Sequence, residues 1–199
     1  IGRVTGGTAA RAQLDLAVRV PDLEYFLYGV EPANPERPRE LLVEGTLRLG
    51  DDVWRVTPDE SVLRLFPSGP RDPAGVFAAG PPGERMEYAL RLERPGGRSA
   101  RFTACKDLND GPGLDLLRDT TVTYAQLEEA DQPTLWGQLK VHTADLLSLQ
   151  FPSFDVTGTD DPAEKVLALG RFFRMFFGKL SEVYLSQTIE LLTSGRRPR

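Results

Sequence analysis

Between Leu14 and His142 the chain returns again and again to one pattern, an apolar residue at every second position, cut off by short turn-forming stretches. Period-two alternation marks a strand with one buried face, because successive side chains in a strand point to opposite sides. The plainest case is Arg85–Glu93, where Met86, Tyr88, Leu90 and Leu92 alternate with Glu87, Ala89, Arg91 and Glu93. Pro95-Gly96-Gly97 then turns the chain and Ala100–Lys106 returns, which reads as a hairpin. Leu14–Val20, Leu41–Leu49, Val53–Val56, Glu60–Phe66, Thr120–Leu127 and Thr134–His142 read as further strands. Glycine (19) and proline (16) are spread along the chain as punctuation between these segments. The pattern predicts a mainly β (α+β) fold, an antiparallel β-sandwich or barrel-like sheet of about seven or eight strands.

Three helical segments break the alternation. Asp22–Leu27, between Pro21 and Gly29, reads as a short helix after the first strand. In the C-terminal third, Thr143–Leu149 reads as a second short helix ended by Pro152. Asp160 or Asp161 then caps a long helix with Pro162 at its first position. On a helical wheel Val166, Leu169, Phe173, Phe176, Phe177, Leu180, Val183 and Tyr184 share one broad face, and Glu164, Arg171, Arg174 and Glu182 mark the other. Leu167, Phe172 and Met175 spill onto that polar side and form the candidate interaction face. The organisation expected is one domain over residues 1–199. It has a lead-in at 1–12, a β-rich body at 14–142, a short helix at 143–152, the aromatic helix at 161–192 and a basic tail at 193–199.

Charge and cysteine content narrow the function classes. The net charge is −5, and the only basic cluster is the tail at Arg196, Arg197 and Arg199, so nucleic acid is not an expected partner. Cys105 is the only cysteine, which excludes an intrachain disulfide and a cysteine-based zinc cluster. No apolar run reaches the roughly 18–20 residues of a spanning helix. The first residues lack a signal-peptide pattern, which gives a cytoplasmic expectation, and the missing initiator methionine leaves a longer parent polypeptide open.

The most polar segment is Lys106–Thr121, and Lys106, Asp107, Asp110, Asp115, Arg118 and Asp119 are its candidate ligand-binding residues. Its aspartates supply the oxygen chemistry of a calcium site, but their spacing departs from the EF-hand loop and Arg118 stands in the place of the closing glutamate. Asx turns tied to the sheet by a Lys/Arg–Asp network are the alternative. His142 and Asp145 have the spacing of an orienting hydrogen bond, with Ser148 and Ser153 nearby in sequence. A Cys105–His142 pair is the one thiol-nucleophile arrangement the composition allows. There is no dinucleotide fingerprint, phosphate loop or paired-histidine zinc helix, so no cofactor and no metal are expected.

The series Arg85-Met86-Glu87-Tyr88, Lys106, Asp110-Gly111-Pro112-Gly113-Leu114-Asp115 and Arg118-Asp119-Thr120-Thr121-Val122-Thr123-Tyr124 resembles a known protein region. It is similar to the β-rich, non-flavin region of bacterial cholesterol-oxidase-like flavoproteins of the glucose–methanol–choline class. Trp136–Val141, Thr143–Leu146 and Phe172–Leu180 extend the likeness over roughly residues 14–185. Leu117 stands where that pattern has an aromatic residue, and Asp110-Gly111-Pro112-Gly113 where it has Asp-Asp-Pro-Gly. The resemblance implies an accessory module of a lipid- or sterol-handling enzyme, without the flavin-binding part and hence without the oxidase chemistry. The function expected is therefore a non-catalytic module that binds a hydrophobic, lipid- or sterol-like ligand or docks to an enzyme domain or a second copy. The rivals are a lipid-processing hydrolase or isomerase with a site at Lys106–Asp119 or His142–Asp145, and a calcium-dependent binding module.

Overall fold

The computed structural model describes residues 11–28, 39–67, 85–107, 122–140 and 154–194. Its strands are β1 (Ala12–Arg19), β2 (Arg39–Leu49), β3 (Asp52–Val56), β4 (Val62–Leu65), β5 (Arg85–Arg94), β6 (Arg98–Asp107), β7 (Val122–Glu129) and β8 (Leu135–Lys140). Its helices are α1 (Leu23–Tyr28) and α2 (Pro162–Ser194). All eight strands belong to one antiparallel sheet, in which each lane neighbours the next in chain order. β1 lies close to β8 without a shared ladder, so the sheet curls toward closure. The result is barrel-like, and the described residues form no second sheet to make a sandwich.

β3 and β4 are two halves of one lane. Thr46–Leu49 of β2 pair with β3, and Arg39–Leu42 of the same strand pair with β4. The break is a 3-10 turn at Pro58–Glu60, where the sequence pattern alone continues the strand back to Glu60. Pro58 has its φ preset for a helical first turn and no N–H to give a ladder, which favours the turn there. Backbone pairing lost at the break is restored from both sides. Thr57 N–H donates to the Arg91 carbonyl at 2.9 Å, and the buried Ser61 Oγ accepts from Arg91 N–H at 2.9 Å.

One phase of the alternation faces inward throughout. Leu41, Val43 and Leu47, Trp54 and Val56, Leu63 and Leu65, Leu90 and Leu92, Ala100, Phe102 and Ala104, and Ala125 and Leu127 form a single core. Register pairs these residues across the strands, as in Leu47↔Trp54, Leu90↔Phe102 and Phe102↔Leu127. Gly45 is the one small residue in the inner row of β2. It sits opposite Leu16 at φ +150, and a Cβ there would meet the Asp15 carbonyl oxygen at 2.1 Å. Only glycine lets β1 approach β2 so closely.

The two ends of the barrel differ. At one end the chain turns tightly, between Leu49 and Asp52, Arg94 and Arg98, and Glu129 and Leu135. At the other end the connections are long (20–38, 66–84, 108–121 and 141–161), and α1 and α2 sit there too.

Candidate functional site

The helix-covered end gathers the features a binding surface needs. Asp22 caps α1, its Oδ1 accepting from Tyr25 N–H at 2.9 Å, and the helix buries Phe26 and Leu27. Asp161 caps α2, its Oδ1 accepting from Ala163 N–H at 2.8 Å, with Pro162 following at the first helical position. Thr159 Oγ1 is hydrogen-bonded to Glu164, and Glu24 of α1 pairs with Arg171 of α2. These contacts fix where α2 begins and how it lies on α1.

Aromatic rings then seat it. Phe172 stacks on Phe26 (6.0 Å between centroids) and on Phe176 (6.0 Å), and Phe176 meets Phe66 at 5.9 Å. Phe154, in the lead-in to the helix, packs against Phe172 and Phe173. Phe66 holds its buried ring in place from the left-handed backbone region, φ +49, where a bulky side chain costs about 1–3 kcal/mol. Its N–H donates to the Arg85 carbonyl at 3.1 Å, which pins the strand end below α2.

The seat is turned from the wheel-based expectation. Phe172 and Met175 pack against the core with Phe176, whereas Val166 is 71 % exposed and Phe177 40 %. Of the expected interaction face only Leu167, 56 % exposed, stays outside. The reason is that an apolar helix has no preferred side of its own, and Phe26 and Phe66 select the arc through residue 172.

Beneath the helices, the inner wall at this end carries Met86, Tyr88, Lys106, Thr123 and Leu139. Lys106 pairs with Met86, Tyr88 is its diagonal neighbour on the same face, and Met86 pairs onward with Leu65. Thr123 lies one register step beyond the Cys105↔Tyr124 pair, which sets it beside Lys106 and across from Leu139. Lys106 is only 9 % exposed, and no described residue forms an ion pair or hydrogen bond with its ammonium group. Burial alone brings its pKa from 10.5 down to about 8. Burial also pushes the Tyr88 phenol up to about 12. The neighbouring Arg85 is already engaged, with its Nε on Glu87 Oε1 at 2.5 Å.

The middle of the barrel is filled by Trp54, Leu90, Leu92 and Phe102. A cavity of about 40 Å³ lies at the β1–β8 seam, lined by Ala12, Leu47, Leu49, Phe102, Leu127 and Leu135 among others. It has room for a few waters and none for a lipid.

Of the candidate ligand-binding residues, Lys106 is thus placed on the inner wall. Asp107 closes β6 with its backbone opposite Arg85. Asp110, Asp115, Arg118 and Asp119 lie outside the described residues, as do His142, Asp145, Ser148 and Ser153. Cys105 is half-buried on the outer face, between Glu87 and Tyr124 in register. Among the described residues no three His, Cys, Asp or Glu side chains are grouped to hold a metal ion, and no helix is long and apolar enough to cross a membrane. Sequence reasoning passed over Tyr88, Phe66 and Phe26 as site residues. The phase of Ala100, Phe102 and Ala104, carried on two residues, was the available signal that Lys106 and its neighbours face inward. No family model, curated protein or solved structure matches the chain.

Proposed function

We propose that the chain is a non-catalytic accessory module that binds a hydrophobic, lipid- or sterol-like ligand at the helix-covered end of its barrel. The observation that carries this reading is the polarity of the barrel. One end is closed by tight turns, and the other combines long connections, two helices and an apolar inner wall whose Met86, Tyr88 and Leu139 are half-buried. Loops and helices set on a rigid sheet are the usual place for recognition. Because the middle of the barrel is packed, the ligand lies between the strand ends and α2 instead of deep in the sheet. The likeness to the accessory region of cholesterol-oxidase-like flavoproteins supports the same ligand class.

Titration with a neutral, polarity-sensitive dye such as Nile red tests it. Saturable binding is expected, weakened several-fold by Phe176→Ala and little changed by Phe177→Ala. Non-saturable uptake, or equal effects of the two substitutions, overturns the reading.

A second reading, docking to an enzyme domain or to another copy of the chain, draws on the outward Val166, Leu167 and Phe177 of α2. Sedimentation of the doubly substituted Leu167→Glu, Phe177→Glu chain checks it, with lost self-association as the expected result. An unchanged sedimentation profile removes self-docking.

A further inference from the structure

We propose that Lys106 is the head-group anchor of this end, and that the ligand is an amphiphile ending in a single carboxylate, of the fatty-acid class. The inference rests on the reading of the helix-covered end as a site for an apolar ligand, and it names the chemistry of that ligand's polar tip. Lys106 is nine-tenths buried as a residue on the inner wall, with no ion pair or hydrogen bond to a described residue, and a charge held there is costly. An arriving anion supplies a partner that no described residue gives. A carboxylate has two oxygens to satisfy, and Lys106 is flanked on the same face by two hydroxyls, Tyr88 and Thr123. The tail then lies along the half-buried Met86 and Leu139 of the same wall. Charge and apolar surface are thus offered within one wall, in the order an acid-headed chain presents them.

Calorimetry of the full chain with decanoate, decanol and decyl phosphate at neutral pH tests the proposal. Decanoate is expected to bind at least tenfold more tightly than decanol. Lys106→Met is expected to erase that ratio through a loss of decanoate affinity of about tenfold. Lys106→Gln serves the same comparison if the methionine variant does not fold, and the ratio in the unsubstituted chain stands without either. Equal binding of decanoate and decanol, or a ratio that survives the substitution, overturns the acid-head inference and leaves the apolar-ligand reading standing. Tighter binding of decyl phosphate than decanoate overturns the choice of a single carboxylate. Failure of all three to bind removes both the inference and the reading beneath it.

Discussion

Replacing Lys106 by methionine should make the ligand-free protein more stable at neutral pH. The side chain is almost fully buried, and its pKa falls from 10.5 in the unfolded chain to about 8 in the fold because of that burial. A gap of roughly two and a half pH units, at about 1.4 kcal/mol each, is a penalty of about 3 kcal/mol for folding the charged form. Below pH 8 both states carry the proton and the whole penalty is present. Between pH 8 and 10.5 the folded state has released its proton and the unfolded state has not, so stability rises with pH. Above 10.5 neither holds it and the penalty is gone. Tyr88 works in the opposite sense, since its phenol, raised to about 12, ionises first in the unfolded chain and lowers stability above pH 10. The window from pH 8 to 10 therefore isolates the lysine. Urea unfolding of both chains at pH 7, 9 and 10 measures the effect. The methionine variant should lead by about 3 kcal/mol at pH 7, or roughly 6–12 °C in Tm, and the lead should shrink across the window. A variant that is destabilised at pH 7 by about 3–5 kcal/mol would mean that Lys106 already has a buried acidic partner. That result, or an original chain whose stability is flat from pH 8 to 10, refutes the reasoning.

Other substitutions test the packing. Gly45→Ala places a methyl against the Asp15 carbonyl and should cost about 2–4 kcal/mol in chemical denaturation, with β1 amides losing hydrogen-exchange protection first. Asp161→Ala removes the α2 cap and should lower stability by ~1 kcal/mol, read as a small Tm shift with helical circular dichroism nearly intact. Phe176→Ala should cost about 2–4 kcal/mol through its lost contacts with Phe66 and Phe172, whereas Leu167→Ala on the exposed side should stay within about 0.5 kcal/mol. Similar losses for those two residues would show that α2 is seated on a different arc.

Much of the architecture could be read from local pattern. Strict alternation in Arg85–Glu93 and Ala100–Lys106, with Pro95-Gly96-Gly97 between them, specifies a hairpin and its inward face without help from the rest of the chain, because a strand's side chains must alternate. The α2 start was equally local, since an aspartate followed by proline satisfies and removes the first unpaired N–H groups of a helix. The same phase logic places Lys106 inside. What it could not supply was the curl of eight strands into one barrel-like sheet, which depends on β1 meeting β8 from opposite ends of the β-rich region. Nor could it supply the seat of α2. Phe172, Phe173, Phe176 and Phe177 are equivalent by composition, and a helix apolar on most of its circumference can rest on any of several arcs. Phe26 and Phe66, far away in sequence and brought to the same end by the sheet, made the choice. Local pattern determines which residues turn inward within an element. Which element then covers which end is decided by contacts between distant segments, and those exist only once the sheet has formed.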